Sequence, residues 1–227
     1  MKKILKETLN QNLLLNNSTL VIQTFGNLSI RIDKNKIAIK PSGVNLNNIN
    51  IDEISVVTLD GEHISGLKPS VDTPTHTHLY KTYIELGAIV HTHSIYASAW
   101  AQSLNNIPPL GTTHADFILG DLPCTRPLSK NEFANNYEKN TGVVIEETII
   151  ENKLNVMDIP GILVGNHGVF SWGVNSKKAL ENAEAIEYIA KLAYLTKNLD
   201  KNVKDIDSQL NSFHFFRKHG PNNYYGQ

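Results

Sequence analysis

Ala88-Ile89-Val90-His91-Thr92-His93 constrains the fold of this chain more than any other stretch. Three apolar residues, two of them β-branched, run straight into two histidines spaced i, i+2. Such a run predicts a buried strand. Side chains alternate faces along a strand, so His91 and His93 are expected to project the same way and Thr92 the other. Neutral imidazole is a common ligand for zinc and similar divalent metals. Two imidazoles on one rigid strand make half of a metal site. Ordinary structural histidines are the alternative, because nine histidines in 227 residues give some close pairs by chance.

The rest of the chain offers room for one sizeable core or two small ones. Apolar content of 41% and charged content of 19% are those of a soluble globular protein. With 21 basic and 22 acidic residues the net charge is −1, which leaves no electrostatic footprint for nucleic acid or an anionic membrane. Cys124 is the one cysteine, so an intrachain disulfide is excluded and a reducing compartment is expected. Met1 to Glu7 lacks the apolar core of a signal peptide, and no run approaches the roughly 20 apolar residues that span a bilayer. A cytoplasmic protein is the expectation.

Taken in order, residues 2–15 place Ile4, Leu5, Leu9, Leu13 and Leu14 on one face of an amphipathic helix. Strands are expected at Leu20-Val21-Ile22, at Leu28–Ile32 after the turn Gly26-Asn27, and at Ile37-Ala38-Ile39. Val56–Leu59 and Glu62–Ile64 read as a hairpin around Asp60-Gly61. Asp72-Thr73-Pro74 reads as a helix start with proline at the first position, and Gly87 as its end. A further helix runs from Ser94 or Ile95 toward Pro108-Pro109, and Ser129–Glu132 is a capping box opening another. Ile162–Val164 and Val169–Trp172 are expected strands around the turn Gly165-Asn166-His167-Gly168. Asn175-Ser176 caps a long helix, and a short helix precedes a polar tail. The expected architecture is a single α/β domain over 1–227, with a largely antiparallel sheet covered by helices on both faces. Residues 218–227 form its tail.

His167 is the candidate third ligand, since glycine after it allows a close backbone approach. A turn histidine bonded to backbone is its alternative. Three histidines that leave coordination positions open are the catalytic rather than the closed structural pattern. Asp72, just ahead of Thr73-Pro74, reads first as a helix N-cap, which such an aspartate is more often than a ligand. His76 and His78, i and i+2 on a helix, point to different faces and are expected to be non-ligands. Asp116 lies in a loop after Gly111-Thr112-Thr113-His114, where a surface turn is the plain reading. Tyr137 and Glu138 read as solvated positions of the capped helix. Tyr224-Tyr225 place two aromatics in a polar tail, which suggests that the tail packs against something. A cupin-like barrel, which also uses His-x-His plus a later histidine, is set aside. Ser94–Ser98 supplies no carboxylate, and helix follows instead of strand.

With these residues laid out, the chain resembles the L-ribulose-5-phosphate 4-epimerase family of the class II aldolase and adducin superfamily over essentially its whole length. The resemblance rests on Gly26-Asn27, Lys40-Pro41-Ser42-Gly43-Val44, Asp72–His76, Val90–Ser94, Gly111–Asp116, Pro123–Arg126, His167-Gly168 and Arg217–Gln227. It implies the class II aldolase-like α/β/α fold and a zinc ion, or another divalent metal such as Mn2+ or Co2+, on His91, His93 and His167, with Asp72 at or beside it. It implies a sugar-phosphate pocket of Gly26, Asn27, Ser42, Gly43 and Ser70. One departure falls there: the family usually has two serines where this chain has Ser70-Val71. It further implies epimerisation of L-ribulose 5-phosphate to D-xylulose 5-phosphate by retroaldol cleavage of C3–C4, rotation of the aldehyde and re-addition. Asp116 and Tyr225 would be the acid–base pair, reaching the pocket from a neighbouring subunit of a homotetramer. Thr112, Glu138 and His214 also match positions near the site. A ketose-1-phosphate aldolase of the L-fuculose-phosphate type is the nearest rival. A noncatalytic adducin-like interaction domain is the rival from a different class.

Overall fold

The histidine run does form a strand, and it lies inside a seven-stranded sheet. The computed structural model describes residues 1–221, 223 and 224. Its elements are α1 (Lys2–Asn16), β1 (Asn27–Arg31), β2 (Lys36–Ile39), β3 (Ser55–Thr58), β4 (His63–Ser65), α2 (Thr73–Thr82), β5 (Ala88–Thr92), α3 (Ile95–Gln102) and α4 (Thr112–Ala115). They continue with α5 (Lys130–Ala134), α6 (Tyr137–Glu151), β6 (Gly161–Leu163), β7 (Val169–Gly173), α7 (Ser176–Leu199) and α8 (Ser208–His219). The strand order is β4-β3-β2-β1-β5-β7-β6, and every pairing is antiparallel.

Alternation along the strands separates two cores. Ile37, Ile39, Val57, Ile89, Phe170 and Trp172 face one way and pack with Leu79 and Tyr80 of α2 and Ile145 and Ile149 of α6. Leu28, Ile30, Ala88 and Val90 face the other way, toward Leu15 of α1 and Ala179, Leu180 and Ala183 of α7. On that same side Ala38 and Val56 meet Leu5 and Leu9 of α1, while Leu163 and Val169 meet Ala97 and Ala101 of α3. Helices therefore cover both faces, as the apolar patterning required. Among the described residues no helix is long and apolar enough to cross a membrane.

Four local expectations need correction. Leu20-Val21-Ile22 is not a strand but a stretch of turns leading into β1. Both edges of β1 are already taken, by β2 and β5, so no ladder is open to it; Leu20 is buried instead while Ile22 is 63% exposed. The capped helix at Ser129 ends at Ala134, and α6 starts separately after Asn136, whose left-handed backbone (φ 60°, ψ 53°) breaks the run. Tyr137 and Glu138 thus open a second helix rather than sitting on the first. His93 lies one residue beyond the end of β5.

The helix before the histidine strand ends at Thr82, not at Gly87. Arg31 explains the stop. Its guanidinium donates to the carbonyls of Tyr80 (2.8 Å), Tyr83 (3.0 Å) and Leu86 (2.9 Å), and lies 4.7 Å from the centre of the Tyr80 ring. A cation at a helix C-terminus satisfies orphan carbonyls and opposes the macrodipole. Gly87 has a different duty: a Cβ there would stand 2.0 Å from the Val174 carbonyl oxygen, so only glycine lets β5 start beside the end of β7. Arg31→Met is expected to cost about 2 kcal/mol, the scale of hydrogen bonds to a charged donor. Urea unfolding followed by circular dichroism should show a lower midpoint at unchanged slope.

Candidate metal and active site

The pairing of β5 with β7 sets His91 opposite Phe170 and Thr92 opposite Val169. The tight turn from Val164 to Gly168 then carries His167 back over the end of β5. Two backbone bonds close that turn, Val164 N–H to Gly168 O (2.8 Å) and His167 N–H to Val164 O (3.0 Å). Gly168 is required here because a Cβ would stand 2.6 Å from the Thr92 carbonyl oxygen. The result is a near-equilateral group of imidazoles. Ring centres lie 4.9 Å apart for His91–His93, 4.8 Å for His91–His167 and 4.9 Å for His93–His167.

The ring nitrogens converge. One ligand atom from each histidine falls within 4.8 Å of the other two. The ring of His91 lies on Phe170 (4.2 Å, 16°), and its Nδ1–H donates to the Val169 carbonyl at 3.0 Å. That bond fixes the tautomer and leaves the Nε2 lone pair pointing into the group. Nε2 of His93 lies 3.1 Å from it. Two nitrogens on a tetrahedral zinc, each about 2.0–2.1 Å from the metal, are about 3.3 Å apart. The pair is therefore already at ligand spacing, with the His93 proton bridging it until a cation replaces that proton. His167 Nδ1 is buried with no hydrogen-bond partner among the described residues.

Protonation is strongly opposed here. Burial pushes the His91 pKa down to about 3, helped by His93, with the Val169 carbonyl acting in the other direction. Burial likewise pushes His167 down to about 3, with His91 and His93 adding to the effect. His93 is lowered by burial and partly restored by Asp72. Three neutral imidazoles with convergent ring nitrogens suit a divalent cation, which needs neutral ligands. The donor set fits a divalent metal with open positions.

Asp72 stands next to this group rather than in it. It holds the N-cap position of α2, yet its side chain makes no capping bond. Its Oδ2 instead accepts from Asn27 Nδ2 (2.7 Å) and Ser70 Oγ (3.4 Å). The reading of Asp72 as a capping residue is therefore set aside. His76 and His78 stay out of the group as expected. His76 is buried on Ser29, and His78 pairs with Glu146 of α6 at 2.6 Å.

The phosphate-loop candidates assemble along the same side. Ser42 N–H donates to Lys68 O (2.9 Å) and Ser70 N–H to Lys40 O (3.1 Å), lacing the loop of Ser42 and Gly43 to that of Ser70 and Val71. The Val71 side chain is 58% exposed. Gly26 and Asn27 lead into β1 beside His91, its partner in register being Asn27. Lys40, which residue-type reasoning did not select, is buried here and donates from Nζ to Thr24 O (2.5 Å) and Gly26 O (2.9 Å). Burial lowers its pKa, and the charge of Asp72 partly offsets this. Its signal was available: a lysine directly after the apolar strand Ile37-Ala38-Ile39. Phe25 was also missed, and Tyr137, expected at a solvated position, belongs here too. Phe25 stacks on His93 (6.2 Å, 24°), and Tyr137 packs against His167 (5.7 Å).

Asp116 belongs to a different cluster. Its carboxylate accepts from His214 Nδ1 (3.0 Å) and Arg217 Nη2 (3.1 and 3.4 Å), and its backbone carbonyl from His219 Nε2 (2.9 Å). The plain surface-turn reading fails, since α8 grips this residue from three positions. None of the described hydrogen bonds, ion pairs or ring contacts joins Asp116 to the three histidines. Thr112 opens α4 next to Asp116, and the Glu138 carbonyl accepts from the Thr75 hydroxyl. Tyr225 lies outside the described residues.

Comparison with known proteins now places the chain. The family model for the class II aldolase and adducin N-terminal domain matches residues 6–194, and the chain belongs to that family. It is 45% identical, over 100% of both chains, to the L-ribulose-5-phosphate 4-epimerase UlaF of Salmonella paratyphi C, and 44% identical over the same extent to that of Salmonella typhi. A solved L-fuculose 1-phosphate aldolase superposes with a TM-score of 0.77 at 23% identity, covering 93% of this chain and 94% of the other. YgbL of Klebsiella pneumoniae, described as a putative aldolase, epimerase or decarboxylase, superposes at 0.73 with 24% identity, covering 93% and 97%. These two structures establish the fold.

Proposed function

We propose that this chain is a divalent-metal-dependent L-ribulose-5-phosphate 4-epimerase. The observation that carries the reading is the 45% identity, end to end, with proteins of that name. The three convergent imidazoles supply the support that chemistry requires. Inverting a carbinol that lacks an acidic proton cannot proceed by deprotonation at carbon, so C3–C4 must be cleaved and reformed. A divalent ion held by His91, His93 and His167 supplies Lewis-acid stabilisation of the charge that cleavage leaves on the ketose oxygens. Zinc suits three imidazoles, with Mn2+ and Co2+ as substitutes.

The protein's own groups do the rest. Asn27 orients Asp72 toward the histidines, and Ser70 holds the same oxygen. Ser42, Gly43, Ser70 and the backbone of Val71 receive the phosphate, next to the cation of Lys40. Asp116 serves the C4 oxygen as base from one side and Tyr225 as acid from the other, exchanging roles on re-addition. Asp116 has no contact with the histidines of its own chain among the described residues, so a neighbouring copy completes the pocket. We take the assembly to be a homotetramer in which α8 and residues 218–227 pack at the subunit interface. The chemistry of a sugar phosphate and the half-buried Cys124 suit the cytoplasm.

The test is a coupled assay on zinc-loaded protein. L-ribulose 5-phosphate should yield D-xylulose 5-phosphate, and a chelator should abolish the conversion. Formation of dihydroxyacetone phosphate from L-fuculose 1-phosphate, with no pentulose conversion, would replace this reading with the aldolase. Val71→Ser, which restores a hydroxyl to the phosphate loop, is expected to lower KM about 3- to 10-fold at unchanged kcat, the worth of one added hydrogen bond to a charged group. Steady-state kinetics checks it.

A further inference from the structure

Each of the three histidines carries an aromatic ring of its own: Phe170 for His91, Tyr137 for His167 and Phe25 for His93. Phe170 is fully buried and Tyr137 half-buried, and both belong to the packing around the group. Phe25 is 56% exposed. Exposure of one apolar ring means nothing by itself. What singles Phe25 out is how it is held. Lys40 Nζ donates to the carbonyls of Thr24 (2.5 Å) and Gly26 (2.9 Å), the residues on either side of it. Its own N–H donates to Ile22 O at 3.1 Å and closes a turn through Gln23, whose backbone is left-handed (φ 56°). That conformation is uncommon outside glycine. A buried ammonium and an unfavourable backbone thus fix a side chain that adds little to the core.

Residues 25–27 run along the open edge of the histidine group. Phe25 stacks on His93 (6.2 Å, 24°), and Asn27 stands opposite His91 in register and is bonded to Asp72. His91 is buried, His167 half-buried and His93 exposed, so whatever approaches the group from solvent passes His93 and its aromatic neighbour. The reaction gives that edge a task. Cleavage of C3–C4 in L-ribulose 5-phosphate moves the C4 hydroxyl proton to the base and the bonding pair toward the ketose oxygen. It leaves glycolaldehyde phosphate and a three-carbon enediolate. Two fates then compete. In one, the aldehyde turns, is attacked on its other face and becomes part of D-xylulose 5-phosphate. In the other, the aldehyde escapes, C3 takes a proton from water, the base returns its own proton to solvent, and dihydroxyacetone is formed. An aldehyde that must turn needs a surface that neither bonds its carbonyl nor admits water, which is what an apolar ring provides.

We propose that Phe25 is a specificity-determining wall of this site: its ring, set on His93 by the Lys40 clamp, keeps the aldehyde fragment in the pocket and water away from C3, so that the cleaved halves rejoin rather than separate. The inference rests on the epimerase reading of the site.

Proton NMR of L-ribulose 5-phosphate with zinc-loaded protein reports D-xylulose 5-phosphate and dihydroxyacetone from one tube. The parent should give the epimer with little dihydroxyacetone. Phe25→Ala should raise the ratio of dihydroxyacetone to epimer about 10- to 100-fold, the worth of an apolar side chain's contacts applied to one of two competing branches. Phe25→Leu keeps apolar bulk and should stay within about 3-fold of the parent. Elemental analysis and gel filtration should show the same metal content and the same assembly in both variants, because the ring is neither a ligand nor a subunit contact in this proposal. A parent-like ratio in Phe25→Ala, or equal loss of both products, would overturn it. Phe25→Leu as leaky as Phe25→Ala would overturn the wall and assign the effect to the stack on His93, and a changed assembly would overturn it by making Phe25 a contact between copies. Parent protein that makes no epimer removes the reading of the site and this inference together. Parent protein that epimerises, beside Phe25→Ala with an unchanged ratio, removes this inference alone.

Discussion

His93→Ala is expected to leave a folded chain that retains less than about a tenth of its divalent metal and shows no measurable pentulose interconversion. Two imidazoles do not make the three-ligand site that a catalytic zinc uses. The choice of His93 over His91 is deliberate. His91 is buried against Phe170 and bonded to Val169, so its removal opens a hole in the sheet. His93 lies beyond the strand end and is the most exposed of the three, so its removal takes away a ligand and little core packing. Elemental analysis after gel filtration measures the metal, and the far-ultraviolet spectrum confirms the fold. Stoichiometric metal in the variant would show that the ligand set is wrong.

Asp116→Asn is expected to lower kcat by about 10² to 10⁴, the usual worth of a positioned acid–base group, with metal content unchanged. Asn keeps the shape of the carboxylate and a carbonyl acceptor for Arg217 and His214, so the grip of α8 survives. The stronger form of the experiment mixes two dead proteins. If Asp116 serves a neighbour's histidines, His93→Ala subunits keep a good Asp116 and Asp116→Asn subunits keep a good metal group. Random reassembly at equal amounts then restores about a quarter of the parent sites, because each site draws on two independently chosen subunits. Activity that stays at the sum of the separate variants would mean that each chain completes its own pocket.

The sequence carried the fold far because both sheet faces are buried and the strands announce themselves by β-branched runs. It failed at Leu20-Val21-Ile22, where the residues are as strand-like as those of β2. What excludes a strand is the neighbour order of the sheet, a tertiary fact that no local window contains. It failed again at Gly87, whose glycine answers to Val174 far along the chain rather than to the end of a helix. In the site, His91, His93 and His167 were legible because ligand chemistry restricts residue type. Lys40 was not singled out and Tyr137 was read as a solvated helix position, since a lysine after a strand and a tyrosine opening a helix are ordinary until the fold brings them to the histidines. Asp116 sits between these cases. Its loop marked it through resemblance, but the clamp of His214, Arg217 and His219 becomes visible only once α8 is folded against α4.

His91 on β5, His93 just past its end and His167 in the turn before β7 are held together by the register of two antiparallel strands, so their ring nitrogens stay close whether or not a cation is there. The unfolded chain has no such group, so any ion that binds it stabilises the native chain over the unfolded one. At a free concentration one hundred times its dissociation constant, a ligand specific for the native state adds about 2.7 kcal/mol. Heat resistance thereby becomes a scale for metal preference. Melting the metal-free protein against matched series of Zn2+, Co2+ and Mn2+ should rank the ions by the midpoint each produces, with no substrate in the tube.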